Sequence, residues 1–177
     1  MVAAALSLMV LAGVLSSFLM MGRSGFLASS YSDLERETRR ALETFGDDAR
    51  KAVDIHWNSR QSVTFTLVTA SNATTLVTYA YDAGTTGATA GAFYPVVGDS
   101  ESTKPRLVLV HQVAADFAFQ RFKLEQAGVD DNTASSDLET KQIQIALRAS
   151  RSGVTTVAAN QSAVSASYIL RNKRVSN

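Results

Sequence analysis

The chain has 177 residues, 46% of them apolar, and 17 lysines and arginines against 16 aspartates and glutamates give a formal net charge of +1. That length provides one domain of ordinary size with material for a core, and the charge balance calls for neither nucleic acid nor an acidic substrate. The absence of cysteine removes disulfides, thiolate nucleophiles and cysteine-ligated zinc together.

The apolar residues are front-loaded. Met1 to Gly22 carries no charged side chain, and Arg23 is the first one met. A helix of this length spans ~33 Å, enough for a hydrocarbon core of ~30 Å. Its polar side chains are the small Ser7, Ser16 and Ser17, whose hydroxyls can bond back to the preceding turn. A cleaved secretory signal would need a basic start and a small-x-small site, and Leu19-Met20-Met21 supplies no such site. Residues 1–22 are therefore expected to form a transmembrane helix. Arg23 directly after the span, with no basic residue before it, on its own points the C-terminus toward the cytoplasm.

From Leu27 the apolar positions continue as Tyr31, Leu34, Leu42, Phe45, Ala49 and Val53, with Thr38 filling the gap. These steps of three and four trace one face of a helix. Charged residues such as Glu35, Arg36, Arg40, Glu43 and Arg50 flank it as a solvated face. Glu35–Arg39 and Asp47–Lys51 stand at i, i+4 in the favourable order. Residues 23–55 are predicted to be an amphipathic stem, with a bend or melted turn at Gly22 and Gly25.

Beyond His56 the period becomes two. Val63, Phe65 and Leu67 alternate with polar residues, and Thr75–Tyr81 pairs with that run as a hairpin. Residues 82–104 read as loop, with a short strand at 93–97. Leu107–Val113 reads as a central strand, with the Phe117–Phe122 run as its partner. In Lys141–Ala149 the alternation places Ile143, Ile145 and Leu147 inward and Gln142, Gln144 and Arg148 outward. Val164–Leu170 is the last strand, and residues 128–136 and 150–161 are linkers. Residues 56–177 are thus a β-rich globular domain: an α+β fold in which the stem covers a mostly antiparallel sheet of five to seven strands.

In order along the chain, the opening Met1–Gly13 run, the Leu34–Asp54 stem ending in Ile55-His56-Trp57, and Val77-Thr78-Tyr79-x-Tyr81-Asp82 resemble the type IV pilin superfamily. So do Ile143-Gln144-Ile145-x-Leu147 and Tyr168-Ile169-Leu170-Arg171-Asn172. Within the superfamily the chain is most similar to PilW-like minor pilins and the type II secretion minor pseudopilin J. The resemblance implies a structural subunit of the bacterial inner membrane, with a single span, a periplasmic domain and a place at a pilus or pseudopilus tip. Its partners would be other pilin or pseudopilin subunits, met through the N-terminal helix. Members of the family carry a basic leader ending in glycine, then Phe-Thr-Leu-[Ile/Val]-x-Glu. Met1 falls just after that motif, so the codons upstream are expected to encode it. A basic leader would also reverse the orientation suggested by Arg23 alone.

The residues nominate no catalytic chemistry. His56 and His111 lack partners at ligand spacing. Asp130, Asp131, Asn132, Asp137 and Glu139 gather oxygens in one loop without EF-hand spacing, so a solvated loop is expected, with calcium as the alternative because some pseudopilins that the chain resembles bind it. The Gly84–Gly91 stretch lacks the phosphate-loop pattern. Arg171, Lys173 and Arg174 are too few charges to argue for DNA, and Trp57 reads as a packing residue. No enzyme activity, catalytic residue, metal, cofactor or small-molecule substrate is expected. The alternative is a membrane-tethered periplasmic binding or enzymatic domain of unrelated ancestry.

Overall fold

A computed structural model describes residues 2–124, 131–151 and 160–174. Its first element, α1, is one helix over Val2–Lys51, ~75 Å long at ~1.5 Å per residue. Seven strands follow: β1 (Ala52–Ser59), β2 (Ser62–Val68), β3 (Thr74–Tyr81), β4 (Phe93–Val97), β5 (Ala118–Phe122), β6 (Gln142–Arg151) and β7 (Asn160–Ile169). They form two antiparallel sheets, β1-β2-β3-β4 and β5-β6-β7. The fold is α+β, with the C-terminal half of the helix packed against both sheets.

The helix is unbroken at Gly22 and Gly25, where a bend was expected. Ser7, Ser17 and Ser24 each donate to the carbonyl four residues back, at 3.0 Å, which occupies their hydroxyls within the helix. The stem buries the stripe that its spacing marks: Leu34, Thr38, Ala41, Leu42, Phe45 and Ala49 are all inside. Tyr31, assigned to the same stripe, lies below the domain and is exposed. On the charged face Asp47 pairs with Arg50 at 3.2 Å rather than with Lys51, and Asp33 lies 4.0 Å from Arg36.

The helix ends at Lys51, and Ala52–Ile55 open β1 instead of extending the stem. Ala49 and Val53 continue the helical spacing, but Val53, Ile55 and Trp57 also have the branched and aromatic character of a strand. Pairing of Ala52 with Leu67 and Ile55 with Phe65 decides between the two.

The core forms around Phe45. Its ring lies 5.0–5.5 Å from Phe65, Tyr79, Phe119 and Tyr168, and 6.3 Å from Phe93. Three of those rings belong to the first sheet and two to the second, so one stem residue joins both. Val63, Phe65, Ile143, Ile145 and Leu147 point inward as their alternation predicts. On the outer face of the second sheet Gln142 and Gln144 donate to Ser167 and Ser165.

Leu107–Val113 is not a central strand. Its residues make single bridges, Val110 to Phe93 and Val113 to Ala149, and lie along the edge of β4 with Leu107 68% exposed. Gln112 has φ of 51°, a left-handed turn that stops the run from continuing as a strand. The partner of β5 is β6 instead. Ser150, Arg151, Asn160 and Gln161, assigned to a linker, extend β6 and β7; the remainder of that linker, and Asp130, lie outside the described residues.

Candidate functional site

The largest unexplained surface is the first half of α1. Val2, Leu8, Met9, Val10, Leu11, Val14, Leu15, Phe18, Leu19, Met20 and Met21 are each between 48% and 76% exposed. They occur all round the helix, and in a globular protein such residues are usually buried. The helix is long and apolar enough to cross a membrane. Since the same helix enters the domain without a break, whatever holds its first half also fixes the direction of the stem.

The grip of the domain on the stem is specific. Tyr168 lies against Gly46 and donates its hydroxyl to the Leu42 carbonyl at 3.0 Å. A Cβ added at Gly46 would stand within 3.0 Å of three atoms of that ring. Arg50 sits over the same ring, 5.8 Å from its centroid. On the other flank of the buried stripe Tyr79 donates to Asp48 at 2.6 Å. Burial, then the Asp48 hydrogen bond and charge, push the Tyr79 phenol well above its ordinary range.

Two open grooves flank the stem. One, of about 530 Å³, has Leu42, Val164 and Tyr168 as its floor and Glu35, Arg39 and Glu43 on its wall. The other, of about 650 Å³, runs between Arg36, Arg40 and Thr44 on the helix and Leu107–Leu109 and His111 opposite. The His111 N–H donates to the Glu37 carboxylate at 2.9 Å, tying this edge to the stem.

The acidic loop is occupied by protein partners. Asp137 accepts from Arg121 at 2.7 Å and from the Trp57 N–H at 3.2 Å, and lies 3.2 Å from His56 Nδ1. Arg121 also covers the Trp57 ring. Glu139 accepts from the Ser135 N–H and pairs with Lys123, and both interactions hold its carboxyl below the usual range. Asp131 is held low by the Thr133 hydroxyl and N–H. Among the described residues no three His, Asp or Glu side chains stand together as metal ligands do.

The other polar features are structural too. Asp82 closes the loop that follows β3, accepting from Thr89 at 2.7 Å and the Gly84 N–H at 2.8 Å. Lys173 is no part of a basic surface: it is buried, donates to the Leu138 carbonyl and lies 3.6 Å from Asp54. Phe117 and Phe119 belong to the aromatic core. Sequence reasoning missed the role of Gly46 and both flanking grooves, since each depends on a residue distant in the chain. Compared with protein-family models, curated proteins and solved structures, the chain matches none.

Proposed function

We propose that this chain is a single-pass membrane subunit that works by assembly: a minor pilin or pseudopilin acting in initiation or at the tip of a type IV pilus or type II secretion pseudopilus. On this reading the apolar half of α1 resides in the bacterial inner membrane and then among the helices of neighbouring subunits, with the domain in the periplasm. One observation carries it: a bare apolar helix continues without a hinge into a stem locked inside the domain. A flexible tether would suffice to hold an independent enzyme at a membrane, whereas a rigid rod transmits position from helix packing to the domain. The ordered sequence features that resemble those of PilW-like proteins support the same reading.

The test has two stages. The full-length chain should stay in the pellet after alkaline carbonate washing, and its release would remove the membrane reading. Deletion of its gene should then reduce filaments or secretion, with quantitative mass spectrometry finding it far scarcer than the major subunit. Unchanged assembly would overturn the structural role, and parity with the major subunit would make it a main filament component.

A further inference from the structure

Each sheet has two edges, and three of the four are closed by groups in the structure. On β1 the Ile55 N–H donates to the Asp54 carboxylate and the Trp57 N–H to Asp137, and two register shifts interrupt the strand. β4 carries Pro95 and is bonded along its edge by Leu107–Val110. β5 gives its Phe119 N–H to the Arg60 carbonyl, while residues 132–134 bond to Arg121 and Lys123. The outer edge of β7 has no hydrogen-bond partner among the described residues. Its ten residues include no charged side chain and no proline, and its ladder to β6 runs without a bulge. Those are the devices that ordinarily blunt an exposed edge, whose unpaired amides otherwise template the addition of another strand.

The Leu170 N–H donates to the Lys141 carbonyl, and in an antiparallel ladder every second residue bonds the same neighbour. Val164, Ala166 and Tyr168 therefore bond β6, while Ala163, Ser165, Ser167 and Ile169 turn their N–H and C=O groups outward. All four of the outward residues are exposed.

We infer that the outer edge of β7 accepts an extended segment of a different polypeptide, which adds a fourth strand to the second sheet through the backbone groups of Ala163, Ser165, Ser167 and Ile169. Backbone pairing supplies affinity in such a contact, and alternate side chains supply selection. Every second side chain of the added strand would face the flank of the stem, over Leu42, Val164 and Tyr168. The wall there carries Glu35, Glu43 and Asp47 against Arg39 and Arg50. Its charge favours neither sign, and the open backbone groups determine what binds.

A second copy does not fit. Its other three edges are closed, and its own β7 is excluded by direction. β7 and α1 advance together, with Tyr168 at Leu42 and Gly46 and Asn172 reaching the Lys51 carbonyl. Two β7 edges joined about a two-fold axis run antiparallel and set their stems in opposite directions, whereas copies anchored in one membrane keep their stems parallel. That exclusion rests on the membrane anchor proposed above; the open edge does not.

Residue-resolved amide hydrogen exchange on the full chain in detergent tests the edge. In the free protein Ala163, Ser165, Ser167 and Ile169 should exchange fast, and Val164, Ala166 and Tyr168 slowly. A synthetic peptide of alternating valine and threonine, with a lysine at each end, should slow the first set about tenfold or more. The same peptide N-methylated at every second residue should not. Ser165→Pro removes one outward N–H and leaves the β6 ladder intact, so the variant should fold and lose the response to the peptide. If it fails to fold, the N-methylated peptide decides alone. Ser165→Cys, in a chain that has no cysteine, should give no disulfide dimer when isolated membranes are oxidised. Three results would overturn the proposal: outward amides already protected in the free chain, no slowing at any soluble concentration of the peptide, or a Ser165→Cys homodimer. Release of the chain by carbonate, or unchanged assembly on deletion, would remove the proposed function and leave the open edge standing.

Discussion

Gly46 offers a substitution whose sign is set by tertiary structure against local propensity. In an open helix Gly→Ala gains about 1 kcal/mol. Here the added methyl would meet the Tyr168 ring at three atoms. That ring cannot swing aside freely, because its hydroxyl is bonded to Leu42 and Arg50 lies over its face. Overpacking costs about 1–3 kcal/mol, and a lost hydrogen bond adds about 0.5–1.5 kcal/mol. The costs exceed the gain, so Gly46→Ala should destabilise the domain by about 1–3 kcal/mol, lowering the melting temperature by several degrees. The assay is thermal unfolding of the full chain in detergent, followed by near-ultraviolet circular dichroism of the aromatic core. Removing the obstacle should reverse the sign. In a Tyr168→Ala background, Gly46→Ala should stabilise by up to about 1 kcal/mol. Tyr168→Phe keeps the ring and should leave Gly46→Ala harmful. A rise in melting temperature for Gly46→Ala alone would refute the reasoning, since it would mean that the ring yields at no cost.

Ile145 is fully buried between the β5 and β7 ladders. Ile145→Asp should therefore cost several kcal/mol by leaving a charge unpaired, while Gln144→Ala should cost under about 1 kcal/mol; equal melting shifts would show that the inward face is misassigned. Asp82 has its carboxyl held low by the Thr89 hydroxyl first and the Gly84 N–H next, with Arg106 assisting. A depressed folded value gives stability that is present above the unfolded value near pH 4 and lost as pH falls through the folded one. The melting gap between wild type and Asp82→Asn should therefore be constant at neutral pH and close below about pH 4, and a gap that widens on acidification would contradict the loop closure.

The stem stripe could be read directly because both sheets bury it from the same side. Leu34, Thr38, Leu42, Phe45 and Ala49 repeat with the helix because the domain touches one side only. The same logic makes β6 legible, since its outer face meets water. Legibility fails where two local structures share one pattern. Val53 and Ile55 fit either a continued helix or a first strand, and only Leu67 and Phe65 across the ladder select the strand. Leu107–Val113 is apolar enough for a sheet centre, but Phe93 and Ala149 hold it at separate points along an edge. The carboxylates of the 131–139 loop suggested oxygen ligands because Arg121 and Lys123, which neutralise two of them, come from another element. Thr38 filled its gap as expected, although its buried hydroxyl has no hydrogen-bond partner among the described residues.

The energetics of α1, a helix long and apolar enough to cross a membrane, turn on its exposed apolar half. An isolated helix is marginal in water, and no described element packs on the exposed apolar side chains from Val2 to Met21. Burying each large apolar side chain is worth about 1.5–3 kcal/mol, so the exposed set represents tens of kcal/mol, more than the net stability of a typical domain. Gly22 and Gly25, with open space at both positions, each weaken the helix by about 1 kcal/mol against alanine. That cost is small beside the burial energy, which is why the rod can remain continuous through both once its apolar half is covered. Continuity then has a mechanical consequence. Tyr168 at Gly46 and Phe45 among five rings fix the domain to the same unbroken helix that carries the exposed apolar half. A change in how the first half of α1 is packed must therefore turn or lift the whole domain.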